Sequence, residues 1–314
     1  MNLLAGSRGE RRDAKGQRVA IVTGASSGIG EATAVCLARA GFRVVVVARR
    51  EPLLHLLAAR IGGEGGQALP IAADLADTAE THAIVERTLD AFGGVDILVN
   101  NAGYGPPWAL EQMNRDQVRH AFEVNLFGAA QLIAELTPVM RAQGAGRIIN
   151  VSSLAKGVAA PFATVYAATK AALESMTDCL RLELGPFGIA LCLVVPGFVH
   201  TPTFEKAKAV ARAVRADPQN PYRESMATLE RFADVQLAKT GIPAEAVADV
   251  IVRAATTRSP KSRYYVPFSA RVAAKFFSEL PDASRDWLLL RLYGLAAHER
   301  TPAPSAPHGG RHVE

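Results

Sequence analysis

Residues 18–40 constrain this chain more than any other stretch, because they read as a strand, a glycine-rich turn and a helix in immediate succession. Val19-Ala20-Ile21-Val22 is a short, wholly apolar run, suited to a strand covered on both faces. Thr23-Gly24-Ala25-Ser26-Ser27-Gly28-Ile29-Gly30 follows, and a helical pattern runs from Glu31 to Ala40. Glycine there admits positive φ and close backbone approach, and the exposed N–H groups of a helix start attract anionic oxygens. Gly24, Ser26, Ser27, Gly28, Ile29 and Gly30 are therefore candidates to hold a pyrophosphate. The spacing is Gly-x-x-x-Gly-x-Gly, and a tight strand–helix turn with no ligand would use glycines in much the same way.

The pattern repeats along the chain. A second strand, Arg43–Ala48, leads to a helix over 52–61, then to a strand over 68–72 ending in Asp74-Leu75. A helix over 78–92 and a strand over 95–99 end in Asn100-Asn101-Ala102-Gly103. Later strands close on Ser153 and on Pro196-Gly197-Phe198-Val199-His200-Thr201, and a helix over 243–255 precedes a last strand, Arg263–Val266. Strands alternating with helices imply an α/β fold: one doubly wound parallel sheet, Rossmann-like, with helices on both faces. In such a sheet ligands bind at the carboxyl ends of the strands, and each polar cluster named here falls at such an end.

The second strand ends Ala48-Arg49-Arg50, where NAD-binding folds place an acidic residue for the ribose hydroxyls. Two guanidiniums suit a 2′-phosphate instead, which arginine grips with paired hydrogen bonds, so NADP(H) is expected in preference to NAD(H). The alternative is that both arginines flank the next helix in water.

Tyr166 and Lys170 are four residues apart in a helical segment, so the phenol and the ammonium share one face. A nearby cation favours the phenolate and is expected to lower the tyrosine pKa, making Tyr166 a usable acid or base for a carbonyl/alcohol pair. Ala168, Ala172, Met176, Cys179 and Leu180 are expected to form the helix's apolar stripe. Ser153, at the end of the strand carrying Ile148, Ile149 and Val151, is placed to hydrogen-bond the same substrate oxygen. A single helix is expected over 114–141, with Asn125 on its apolar stripe. That buried amide either bonds neighbouring backbone or holds a water in a proton path to Lys170. His200 is a candidate substrate contact.

Composition excludes several other classes. A formal charge of +5 on 314 residues is mild, and the basic residues outside 8–15 are scattered, so no nucleic-acid partner is expected. Cys36, Cys179 and Cys192 have no metal-ligand spacing; they read as core thiols in a reducing, cytoplasmic setting, and no metal site is expected. Residues 1–17 read as a mobile arm, 18–268 as the catalytic domain, 202–241 as a substrate lid, 269–300 as a helical extension and 301–314 as a disordered tail. The extension mixes aromatic and basic residues, which suits a helix packed on its own domain, a subunit contact or a peripheral membrane contact.

Taken together, these motifs resemble the short-chain dehydrogenase/reductase family over residues 18–268. The resemblance implies that Asn125, Ser153, Tyr166 and Lys170 form a catalytic tetrad. It further implies cofactor contacts at Asp74, Leu75, Asn101, Ala102, Gly103, Tyr166, Lys170, Pro196, Gly197, Val199 and Thr201, and a homo-oligomer formed through the helices that carry Asn125 and Tyr166. Pro186-Phe187-Gly188, Val199-His200-Thr201, the 202–241 excursion and the C-terminal extension are similar to the branch of vertebrate estradiol 17β-dehydrogenases and photoreceptor-type retinol dehydrogenases. That likeness implies a steroid-, retinoid- or lipid-like alcohol or ketone. A 3-oxoacyl thioester reductase, with Lys156, Lys206 and Lys208 meeting a carrier, is the alternative enzyme; a non-catalytic dinucleotide sensor is a third reading.

Overall fold

The computed structural model describes residues 16–105 and 107–295; most of the expected arm and the whole expected tail lie outside them. Chain order is β1 (Val19–Thr23), α1 (Gly28–Arg39), β2 (Arg43–Ala48), α2 (Glu51–Gly63), β3 (Gln67–Ala72), α3 (Thr78–Phe92), β4 (Ile97–Asn100), α4 (Arg115–Phe122), a π-turn (Glu123–Phe127), α5 (Gly128–Gln143) and β5 (Gly146–Val151). Then come α6 (Thr164–Leu184), β6 (Ile189–Pro196), the two-residue β7 (Val199–His200), α7 (Pro202–Arg215), α8 (Arg223–Thr240), the two-residue β8 (Ile242–Pro243), α9 (Ala244–Thr256), β9 (Arg263–Val266), α10 (Phe268–Glu279) and α11 (Asp282–Leu292).

Seven strands form one parallel sheet in the order β3-β2-β1-β4-β5-β6-β9. Side chains alternate across a strand, so each strand divides its residues between two cores. Ala20, Val22, Val44, Val46, Ile97, Val99 and Ile149 face α1, α2 and α9. Val19, Ile21, Val45, Val47, Leu98 and Ile148 face α3, α5 and α6. Each large apolar side chain buried this way contributes about 1.5–3 kcal/mol. Strand order reverses between β1 and β4, which opens a crevice at their carboxyl ends.

The expected single helix over 114–141 is interrupted. Residues 123–127 make a π-turn, and Asn125 sits buried in it. The widened turn lets that side chain reach the backbone of Tyr104 while α4 and α5 keep their own packing. The expected stripe on α6 holds only in part: Met176 and Leu180 pack against the second core, but the buried face lies elsewhere. Its buried residues are Val165, Thr169, Lys170, Leu173, Glu174, Thr177 and Leu184, whereas Ala168 and Cys179 are exposed. Polar residues take that face because each finds a partner there; Thr177, for instance, donates to the Leu173 carbonyl. Cys192 is buried as a core thiol should be, but Cys36 is only partly buried.

The 202–241 excursion is the helix pair α7–α8, joined by two Arg–Glu230 ion pairs from Arg212 and Arg215. The C-terminal extension is the pair α10–α11. Phe277, Leu289 and Tyr293 turn inward onto Val158, Ala160, Leu229 and Phe232. Phe268, Val272, Phe276 and Trp287 remain exposed on the outer side. Among the described residues no helix is long and apolar enough to cross a membrane.

Candidate active site

Thr23 ends β1 and stitches the crevice together. Its hydroxyl accepts from the Asn101 and Ala102 N–H groups at 3.0 and 3.1 Å, and its carbonyl accepts from Asn101 Nδ2 at 2.9 Å. Glycine is required in the turn that follows. A Cβ on Gly24, where φ is +68°, would stand 2.9 Å from Ala102 Cα, and one on Gly30 would stand 2.3 Å from the Gly24 carbonyl oxygen. No side chain caps the start of α1, which leaves its first N–H groups available to anionic oxygens. The Ser27 hydroxyl at that start turns instead to Arg50, whose Nη2 donates to Ser26 Oγ at 2.8 Å and to Ser27 Oγ at 2.9 Å. Arg49 points elsewhere and pairs loosely with Asp74 at 3.5 Å in solvent.

The other expected cofactor positions take different parts. Asp74, Leu75, Asn101, Ala102 and Gly103 follow β3 and β4, while Pro196, Gly197, Val199 and Thr201 close β6. Thr201 lies against Gly28, 3.1 Å from where a Cβ would stand, which brings the β6 end beside the glycine turn. Leu75 and Val199, however, bury their side chains in the two cores. A ligand therefore meets only the backbone at those two positions. The uncapped helix start, the tight glycine cradle and the paired serine–arginine cluster fit a dinucleotide. The glycine turn would hold its pyrophosphate.

Ser153 caps the short turn after β5, its Oγ accepting from the Ala155 N–H at 3.2 Å. Tyr166 stands in the first turn of α6, and a Cβ on Gly105 would meet its ring at 2.8 Å. Lys170 is buried; its Nζ donates to the Val151 carbonyl at 2.9 Å and lies 5.8 Å from the Tyr166 ring centroid. Asn125 accepts from the Tyr104 N–H at 2.7 Å and donates to the Tyr104 carbonyl at 2.7 Å and to Thr169 Oγ1 at 2.9 Å. Both Asn125 Oδ1 and Lys170 Nζ flank Gly103, 3.8 and 3.4 Å from the position of a Cβ there. Asn125, Lys170 and Tyr166 thus line the loop at residues 103–105, and Ser153 joins them through its hydrogen bond with Tyr166.

The expectation that Lys170 lowers the Tyr166 pKa needs correction. Although part of its ring stays exposed, burial around the phenol pushes it above its ordinary value, opposed by a hydrogen bond with Ser153. Lys170 is itself lowered to about 8, by burial first, with Glu174 pulling the other way. In the protein alone desolvation wins; the ammonium donates to the Val151 carbonyl and lies 5.8 Å from the centre of the ring.

Sequence reasoning passed over Thr23, which holds the Asn101 loop, and Thr169, Ser152 and Glu174, which lie beside Asn125, Ser153 and Lys170; all four are buried polar residues. Residue type on an apolar strand or helix was the available signal. His200 is exposed on β7, and a Cβ on Gly241 would lie 2.7 Å from its Nε2. A turn at residues 110–112 is tied to the α7–α8 connection by Gln112 Nε2 donating to Asn220 Oδ1 at 2.9 Å. Tyr222 packs edge-on to Phe162, 5.6 Å between centroids, just ahead of α6.

The short chain dehydrogenase family model matches residues 18–211, the span that contains the crevice and Asn125, Ser153, Tyr166 and Lys170. The chain belongs to the short-chain dehydrogenase/reductase family. As a member, it is a NAD(P)-dependent dehydrogenase/reductase. It is 36% identical over 193 residues to a 3-oxoacyl-[acyl-carrier-protein] reductase of Synechocystis, covering 61% of this chain and 78% of that protein. Among solved structures, it resembles the L-sorbose reductase of Gluconobacter frateurii complexed with NADPH and L-sorbose (32% identity, TM-score 0.70, 80% of this chain and 95% of that one). It also resembles a Burkholderia phymatum family member in complex with NAD (26% identity, TM-score 0.72, 88% and 95% covered).

Proposed function

We propose that this family member interconverts a carbonyl and an alcohol on a hydrophobic substrate, using NADP(H), with Asn125, Ser153, Tyr166 and Lys170 as its working residues. The observation that carries this reading is that Asn125 and the buried Lys170 flank Gly103 while Tyr166, hydrogen-bonded to Ser153, packs on Gly105 two residues on. A bound nicotinamide supplies or accepts the hydride. In reduction, Ser153 and Tyr166 hydrogen-bond the carbonyl oxygen and Tyr166 donates its proton there. A phenol held above its ordinary pKa is protonated at neutral pH, which suits the reductive direction. The Lys170 ammonium stabilises the phenolate left behind, and Asn125 fixes the loop through Tyr104.

The grip of Arg50 on both serines of the glycine turn supports the NADP(H) preference, since it sets a guanidinium beside the adenosine end of the crevice. Phe162, Tyr222, Phe198 and Phe204 pair as aromatic contacts on the loops that follow β5 and β6 and on α7–α8. They support an apolar substrate under a lid, in keeping with the steroid-, retinoid- or lipid-like class. The 3-oxoacyl thioester reading draws support from the Synechocystis relative. Against it, Lys156 and Lys208 are already paired with Glu174, Asp234 and Glu205.

The test is a fluorescence titration with NADPH and NADH, followed by turnover on a steroid or retinoid ketone and on an acetoacetyl thioester. Tighter NADPH binding and ketone reduction that Tyr166→Phe abolishes, with NADPH still bound, are expected. Substantial turnover by that variant overturns the assignment, and faster turnover of the thioester selects the alternative.

A further inference from the structure

Glu174 lies one turn beyond Lys170 on α6 and only 4% exposed. A carboxylate that deep requires hydrogen bonds and countercharge, and Glu174 draws them from three elements. The Ser152 hydroxyl at the end of β5 donates to Oε1 at 2.6 Å. Lys156, in the turn after Ser153, reaches Oε2 at 3.4 Å, and Arg263 on β9 reaches it at 3.6 Å. Arg263 is shared with Asp178 on the next turn of α6, which also holds Arg181.

We propose, building on the reading of Ser153, Tyr166 and Lys170 as the reacting side, that Glu174 is a positioning residue. Its carboxylate balances the buried Lys170 ammonium and clamps the segment bearing Ser153 against α6. Both parts follow from the geometry. Residues at i and i+4 are neighbours on a helix, about 5–6 Å between Cβ atoms, and attraction across a protein interior is far stronger than in water. Ser152 and Lys156 bracket Ser153 in the chain, so holding both fixes the backbone between them. A buried ion network adds little net stability compared with apolar packing of the same volume, which makes stability alone a poor reason for a glutamate at this position. The charged or titratable groups facing the site are Lys156, Tyr166, Lys170, Asp178, Arg181 and Arg263.

The experiment follows the Lys170 ε-carbon by NMR through a pH titration of the cofactor-free protein, with the signal assigned by its absence in Lys170→Met. Glu174→Gln keeps the acceptor for Ser152 and removes the charge. It is expected to lower the Lys170 midpoint by at least about half a unit, roughly threefold in the charged-to-neutral ratio. The alkaline limb of the kcat profile should move with it. Lys156→Met leaves Glu174 less neutralised and should shift the midpoint upward, a test that survives if the glutamine variant does not fold. Unmoved midpoints in the folded variants overturn the proposal. Absence of Tyr166-dependent turnover in the unaltered protein instead removes the reaction reading, while the NMR midpoints still decide whether Glu174 balances Lys170.

Discussion

Arg49 and Arg50 are adjacent and chemically identical, yet the fold separates them: one reaches into solvent toward Asp74, the other donates to both serine hydroxyls of the glycine turn. Under the proposed NADP(H) preference, Arg50→Ala should weaken NADPH binding by about 10–100-fold, the range expected for losing one or two charge-assisted hydrogen bonds. NADH binding should change little, and Arg49→Ala should have the smaller effect; direct titration of both cofactors checks this. Lys170 sets a pH limit of its own. Its ammonium is charged below about 8 and neutral above, so reductive kcat/KM should hold at neutral pH and fall as pH rises through that value. A profile flat to pH 10 would show that the charge is not needed. The residue types in these roles were legible from the chain, because Arg-Arg at a strand end and Tyr-x-x-x-Lys on a helix are local patterns. The sign of the tyrosine shift was not, since desolvation depends on everything packed around the phenol.

At the level of elements, the π-turn between α4 and α5 is the feature that local periodicity could not supply. Apolar spacing over 114–141 suits one continuous helix, and the extra residue in the turn pays off only once Tyr104 and Thr169 arrive from other parts of the chain. Asn125→Leu should therefore leave the part-buried N–H and carbonyl of Tyr104 without their side-chain partner, costing about 1–3 kcal/mol. Urea unfolding would give the loss, and faster hydrogen exchange at the Tyr104 amide would locate it. The glycine turn behaves in the opposite way. Strand, turn and helix were readable in order from residues 18–40, and the close approaches at Gly24 and Gly30 give the reason for the spacing. Gly30→Ala drives a methyl group into the Gly24 carbonyl, so dinucleotide binding should be lost with a visible drop in melting temperature.

Across the whole molecule, the C-terminal helices reach back to the site. Tyr293 packs edge-on against Phe232 at 4.9 Å and donates its hydroxyl to the Ala159 carbonyl at 2.9 Å, six residues after Ser153. Tyr293→Ala should cost about 3 kcal/mol, as large-to-small core changes do, and should raise KM more than it lowers kcat, which thermal unfolding and steady-state kinetics would measure. By itself the sequence determined the doubly wound sheet, the order of its elements and the strand ends at which chemistry gathers, because alternating apolar periodicity and turn residues act over a few neighbours. Only the tertiary structure decided which face of α6 is buried, why Asn125 sits in a widened turn, and how Glu174 and Tyr293 tie α6 and the C-terminal helices to the segment around Ser153. Those outcomes depend on burial and on partners brought in from 21 to 134 residues away, which no local pattern encodes.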